Sequence, residues 1–367
     1  MSRPGRGWLL APAALSLLAG LDAGLVRLGG TAPVDSARLG DVHGPLMVLG
    51  FLGTLVALER AVALRRPWAY VAPVLLGTGG LALSAPLPRS LGQVLLLDGV
   101  LALVTVLVAL WGRRRDDAVL VEVMGAGLAS LAALLMLRVE VPVTLPLLAG
   151  FVVLTIASER VELAALHLPA TAPRTLVVLA LPLAGSAALA PALPGPGTRA
   201  FGAALLLLVT WLGPRDVAVR TVRTSGLPRF AAAAMLAGYA WLGVAGAAWV
   251  AVGPTTSGRA HDLVVHAVFL GFAMSMVMAH APVILPAVLR RPLPWHPAFW
   301  LPLGVLHTML ALRVAGDVTG AQWLVVAGGT GTALALLLLP LTAAAGSLLA
   351  SRRRTPSDSA TLRKVLS

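Results

Sequence analysis

The chain has 367 residues, of which 58% are hydrophobic and only 12% charged, and a mean hydropathy of +0.89 marks a chain housed mostly in lipid. It has no cysteine, which excludes disulfides, thiolate-held iron–sulfur clusters and cysteine-rich zinc sites, so any metal would need histidine, carboxylate, methionine or a porphyrin. The formal charge of +13 sits on arginines at the ends of apolar runs, as membrane topology requires, and nucleic-acid binding is not expected.

The first apolar run, Trp8 to Leu28, is too long for the core of a signal peptide and reads as a helix. It opens a series of twelve expected spans, centred near Leu18, Leu52, Leu76, Val104, Ser130, Leu154, Leu183, Leu206, Gly243, Met274, Val305 and Leu336, each near the roughly 20 residues that cross a bilayer as helix. The fold expected is an all-α polytopic membrane protein with one transmembrane domain over residues 1–350 and a basic tail at 351–367. With the amino terminus inside, the inner side carries 21 of the 28 basic residues and the outer side 7, so both termini are expected in the cytoplasm.

Polar residues inside these spans are costly and stand as candidates for function. The second span opens with HGPLM at His43 to Met47 and carries Gly50-Phe51 followed by Glu59-Arg60. The sixth repeats that spacing as Gly150-Phe151 and Glu159-Arg160, and the tenth as Gly271-Phe272 and His280. Four helices therefore separate each match, and three parallel four-helix units are expected, near 1–115, 116–226 and 227–350, about a pseudo-threefold axis. Glu59, Arg60, Glu159 and Arg160 are candidates for an ion path or for buried pairs, each glutamate bonding an arginine beside it or on another helix.

The histidines divide by position. His167 and His296 fall at interfaces, and His307 falls mid-span, where a neutral imidazole bonded to the backbone is the default. His43 and His266 lie toward the outer ends of helices that the repeat makes equivalent, with the small residues Gly44, Gly50, Ala267 and Gly271 beside them. A b-type haem requires such a pair, one imidazole for each face, although small residues serve plain helix packing equally well. Transition-metal binding and proton relay remain open on the same residues.

HGPLM resembles the His-Gly-x-x-Met signature on the second helix of heme-copper oxidase catalytic subunits, and HAVFLGFAMSM at His266 to Met276 resembles their tenth helix. The closer resemblance, carried by the HA-x-x-x-G-x-x-M pattern and short loops, is to NnrS-like haem- and copper-containing membrane proteins linked to nitric oxide stress. It implies a haem b held by His43 and His266 near the outer face of a bacterial inner membrane, with a quinol or small redox partner. It also implies copper or a second metal, for which His261, His280 and His307 are the candidates. The sixth and seventh helices lack the oxidases' copper-binding histidines, so an oxidoreductase-type haem protein without a dinuclear oxygen-reducing centre is expected. The alternative is a proton- or metal-ion-coupled transporter using Glu59, Glu159, Asp22, Asp98 and His280.

Overall fold

A backbone with no water to bond must satisfy its own amides, and in lipid a chain this apolar does so as helix. In the computed structural model, which describes residues 10–30, 32–34, 37–289 and 295–353, eleven helices are long and apolar enough to cross a membrane. In chain order they are α1 (Leu10–Arg27), α2 (Arg38–Leu64), α4 (Arg89–Arg114), α5 (Asp117–Leu135), α6 (Val141–Leu163), α7 (Ala172–Leu189), α8 (Pro194–Arg215), α9 (Gly226–Val252), α10 (Gly258–Val283), α11 (Pro297–Thr319) and α12 (Gln322–Gly346). Between α2 and α4 lies α3 (Val71–Ser84), shorter at 14 residues and entered through a 3-10 turn at Pro67–Tyr70. The protein is thus an all-α multi-pass membrane protein, and α3 accounts for the expected span at Leu76. The helix of α12 continues to Arg353; the rest of the basic tail lies outside the described residues.

The helices pack in an order that recurs three times. In each group of four, the first helix touches the second and third, and the third packs on the fourth. The fourth then meets the first of the next group, α4 on α5 and α8 on α9, and α12 comes back to α1. Glycines set the closest approaches: a methyl added at Gly50 would stand 3.1 Å from Ser16 Oγ and 3.2 Å from Gly80 Cα, so α1, α2 and α3 meet there almost backbone to backbone.

The equivalence of α2 and α10 is written in their backbones. Each is interrupted by an eight-residue π-helical stretch, Leu46–Gly53 and Ala267–Met274, with Gly50 and Gly271 both fifth in it. In both, a hydroxyl four residues on bonds the glycine carbonyl, Thr54 Oγ1 to Gly50 O at 2.7 Å and Ser275 Oγ to Gly271 O at 2.5 Å. The same bond occurs in unbroken α-helix at Ser130 and Thr210, so it marks the likeness of α2 and α10 rather than the cause of their widening. In α6 the corresponding residue is Leu154, and from Leu145 to Leu163 that helix is α-helical without a π segment.

The units also match beyond the Gly-Phe frame. Trp111, Arg115, Asp116, Ala118 and Val119 recur one hundred residues on as Trp211, Arg215, Asp216, Ala218 and Val219. Arg115 lies 4.5 Å from the Trp111 ring and Arg215 5.9 Å from the Trp211 ring. Asp116 and Asp216 each accept from the amide two residues on, at 2.9 Å. The first expected boundary, after residue 115, lies in this matched stretch, and the second, after residue 226, lies at the start of α9. One end of the bundle carries His43 and His266 and is called here the histidine end; the other carries Arg65, Arg114 and Arg215 and is the arginine-rich end.

Candidate functional site

At the histidine end, residues from α1 to α6 and α10 to α12 enclose a cavity of about 970 Å³, within the size of cofactor pockets, about 300–1,000 Å³. His43, His261 and His266 all line it. His43 Nδ1 meets Gly20 O at 2.7 Å, His266 Nδ1 meets Asp262 O at 2.8 Å and His261 Nδ1 meets Thr255 O at 3.0 Å. A carbonyl can only accept, so each Nδ1 carries the proton and each Nε2 keeps its lone pair. No described residue bonds those Nε2 atoms. This is the arrangement of a ligating imidazole, with its far nitrogen fixing tautomer and ring plane.

Two glycines of α1 make the seat for His43. Gly20 supplies the carbonyl, and a methyl on Gly24 would lie 3.2 Å from His43 Cε1, so the ring rests directly on the α1 backbone. On α10, Asp262 holds His266 and is itself clamped by Arg313, Nε to Oδ2 and NH2 to Oδ1 both at 2.6 Å. The rim carries five arginines, Arg27, Arg89, Arg138, Arg259 and Arg313, against the carboxylates of Asp41, Glu140, Asp262 and Asp317. Arg89 pairs with Asp41 at 2.6 Å, while Arg138 and Arg259 enter no ion pair among the described residues.

The structure does not bring His261, His280 and His307 together, and among the described residues no three His, Asp or Glu side chains are grouped to hold a metal ion. His307 spends both nitrogens, Nδ1 accepting from Trp241 Nε1 at 3.0 Å and Nε2 facing Ser275 Oγ at 3.4 Å. His280 lies at the arginine-rich end, Nδ1 on Met276 O at 2.7 Å and Nε2 facing Arg160 NH1 at 3.4 Å. Hydrogen bonding, rather than coordination, places both. His296 caps the 3-10 turn that opens α11, accepting from Ala298 N at 3.1 Å, and His167 is exposed beyond α6.

Nor do the acidic residues form one path. Asp22, near the histidine end, accepts from Val34 N at 3.1 Å, and Asp98 is exposed on α4. Glu59 and Glu159 do share a partner, Arg60, which lies 3.9 Å from Glu59, 2.8 Å from Glu159, 3.0 Å from Glu122 and 3.6 Å from Glu162. Glu159 thus pairs with the arginine of another unit rather than its neighbour.

Arg160 instead grips Asp216 from the α8–α9 loop, with Nε to Oδ2 and NH2 to Oδ1 both at 2.8 Å, and Tyr239 donates to Oδ2 at 2.6 Å. Burial alone would push the Asp216 carboxyl up, but the bonds and charge of Arg160, with the Tyr239 hydroxyl and the Ala218 amide, hold it below its usual value. Asp262, Asp216, Glu122 and Tyr239 lay outside the sequence-derived site. Asp262 was signalled by its i,i+4 spacing to His266, and Asp216 by the hundred-residue repeat.

A family model described as a domain of unknown function, DUF8744, matches residues 6–348. No curated protein and no solved structure matches the chain.

Proposed function

The chain belongs to the DUF8744 family, and from the geometry of its cavity we propose that it is a b-type haem protein of the membrane, holding the haem between His43 and His266 for electron transfer. The observation that carries this reading is the pair of imidazoles on two π-interrupted helices, lining one cavity with Nδ1 spent on a carbonyl and Nε2 free. A haem bound by two imidazoles supplies a one-electron couple on six-coordinate iron. That favours electron transfer over nitric oxide binding, which needs one histidine to leave.

The chain's own residues set the conditions. Gly20 and the Asp262 carbonyl orient the rings, and the Asp262–Arg313 clamp stiffens the α10 side. Arg138 and Arg259 would offset the propionate charges, and apolar residues such as Leu52, Leu148 and Phe269 keep water out. The arginine asymmetry of the loops supports a bacterial inner-membrane protein with both termini cytoplasmic and the cavity facing outward, where a quinol or small redox protein could reach it. Copper is not part of the reading, because the three further histidines do not share a site.

The test is the absorption spectrum and iron content of protein purified from membranes grown with haem. A reduced-minus-oxidised b-type spectrum is expected, lost in His43→Ala and in His266→Ala with insertion unchanged. A colourless, iron-free preparation refutes the haem and leaves proton- or ion-coupled transport, to which the carboxylates around Arg60 lend support.

A further inference from the structure

The carboxylates at the arginine-rich end outnumber their counter-charges. Arg60 is encircled by Glu59 from its own helix, Glu122 from α5, and Glu159 and Glu162 from α6. Among the described residues the nearest other cation, Arg114 of α4, reaches only Glu162, at 3.9 Å. The Arg160 site is balanced by comparison, one guanidinium on one bidentate carboxylate. Four buried or half-buried carboxylates cannot all ionise around one guanidinium without a large repulsion in low dielectric.

Hydrogen-bond geometry identifies the group that stays neutral. Ser158 Oγ lies 2.6 Å from Ala118 O and 3.0 Å from Glu122 Oε1. A hydroxyl has one proton, and the Ala118 carbonyl can only accept. With the Ser158 proton on the nearer carbonyl, the contact to Glu122 is a hydrogen bond only if the carboxyl donates. The other oxygen, Oε2, stands 3.0 Å from Arg60 Nε, yet neither atom has an aligned hydrogen bond. The guanidinium directs its aligned bond to Glu159, at 2.8 Å.

We infer that Glu122 is a proton-carrying site: a neutral carboxylic acid at neutral pH whose proton exchanges with water at the arginine-rich end through Glu159 and Glu162. Side-chain exposure rises from 0% at Glu122 to 19% at Glu159 and 34% at Glu162, which orders the groups from the interior to the surface. In exchange, the Glu122 O–H bond breaks, the proton passes to the Glu159 or Glu162 carboxylate and on to water, and the Glu122 carboxylate left behind faces the Arg60 guanidinium. The site is independent of any haem, and its test does not require one.

The experiment is infrared difference spectroscopy of the full chain in lipid vesicles at neutral pH, wild type minus Glu122→Gln. Glutamine keeps the shape and the donor toward Ser158, so the variant should fold. A carboxylic-acid carbonyl band present in wild type, absent in E122Q and downshifted in D2O is expected, and E159Q/E162Q should slow that downshift. Asp317, which crowds Asp262 at the other end, supplies the control: D317N must leave the band in place. Should E122Q not accumulate, S158A tests the same bond, with the carbonyl band moving to higher frequency as the acid loses its acceptor. No band at neutral pH, a band unchanged in E122Q or unmoved in S158A overturns the protonated Glu122; a band that resists D2O overturns the exchange.

Discussion

The repeat provides an internal control for the energetics of its buried charges. Asp116 and Asp216 occupy matching positions and make the same 2.9 Å bond to an amide two residues on. Only Asp216 also holds a buried arginine through two 2.8 Å contacts and a tyrosine hydroxyl at 2.6 Å. Asp116→Ala should therefore cost a helix cap, about 1 kcal/mol. Asp216→Ala strands the Arg160 charge where it is 3% exposed, and breaking such a pair costs about 3–5 kcal/mol. The difference is equivalent to a factor of about 10² in the folded ratio. Denaturation in mixed micelles, followed by tryptophan fluorescence, measures both; a D216A variant within about 1 kcal/mol of D116A would refute the assignment of Asp216 as the counter-charge of Arg160. The pH dependence follows from the lowered Asp216 value. A depressed carboxyl contributes fully above its unfolded value, about 3.9, and the contribution fades as pH falls through the lower folded value. Wild type should lose this stability only below about pH 4, and Asp216→Asn should show no such acid-dependent loss.

Gly271→Ala drives its methyl into Trp241 Cγ and Cβ, at the root of a ring that cannot swing away, whereas the one tight contact of Gly150→Ala is with the Leu128 Cδ1 tip at 2.6 Å; the first should cost about 1–3 kcal/mol and the second much less in the same denaturation assay. Thr54→Val and Ser275→Ala each remove a hydroxyl bond to a π-segment glycine, and each is expected to lower stability by about 1 kcal/mol, with equal losses pointing to equivalent roles. Reporter fusions after Arg115 and Arg223 should read cytoplasmic; a periplasmic signal at either reverses the orientation assigned to the cavity.

Hydropathy and arginine placement made the helices legible, because lipid leaves few alternatives to an apolar helix of bilayer length. Even α3, only 14 residues long, was visible through its apolar Val71 to Leu83 stretch. The Gly-Phe frame announced the repeat, and the matching π segments support its weakest member, α10. Those segments themselves were not legible, since one widened turn leaves hydrophobic periodicity nearly intact. His43 and His266 stood out because imidazoles inside hydrocarbon are conspicuous, and the structure puts both on one cavity. The partners of Arg60 and Arg160 were harder: Asp216 sits in a loop, where a carboxylate ordinarily reads as solvated. Glu122 lies one turn into α5, close enough to the interface to pass as snorkelling. His307 looked like a ligand candidate until its tryptophan and serine neighbours, far away in sequence, accounted for both nitrogens.

The divergence of the three units explains where the cavity sits. Arg60 of the first unit reaches Glu122, Glu159 and Glu162 of the second, and Arg160 of the second reaches Tyr239 and His280 of the third. The third unit has Ala281 in the matching place, ten residues past Gly271 as Arg60 is past Gly50. From that position it therefore sends no guanidinium to the first. Two junctions of the ring are tied by buried charge; at the third α12 packs on α1, and no ion pair among the described residues crosses it. That untied junction lies between the units that supply α2 and α10, the helices bearing His43 and His266. A cofactor bridging those two histidines, as proposed above, would complete the ring where the ion pairs of the described residues do not, and its removal would then loosen the contact of α1 with α12 before the two charged junctions.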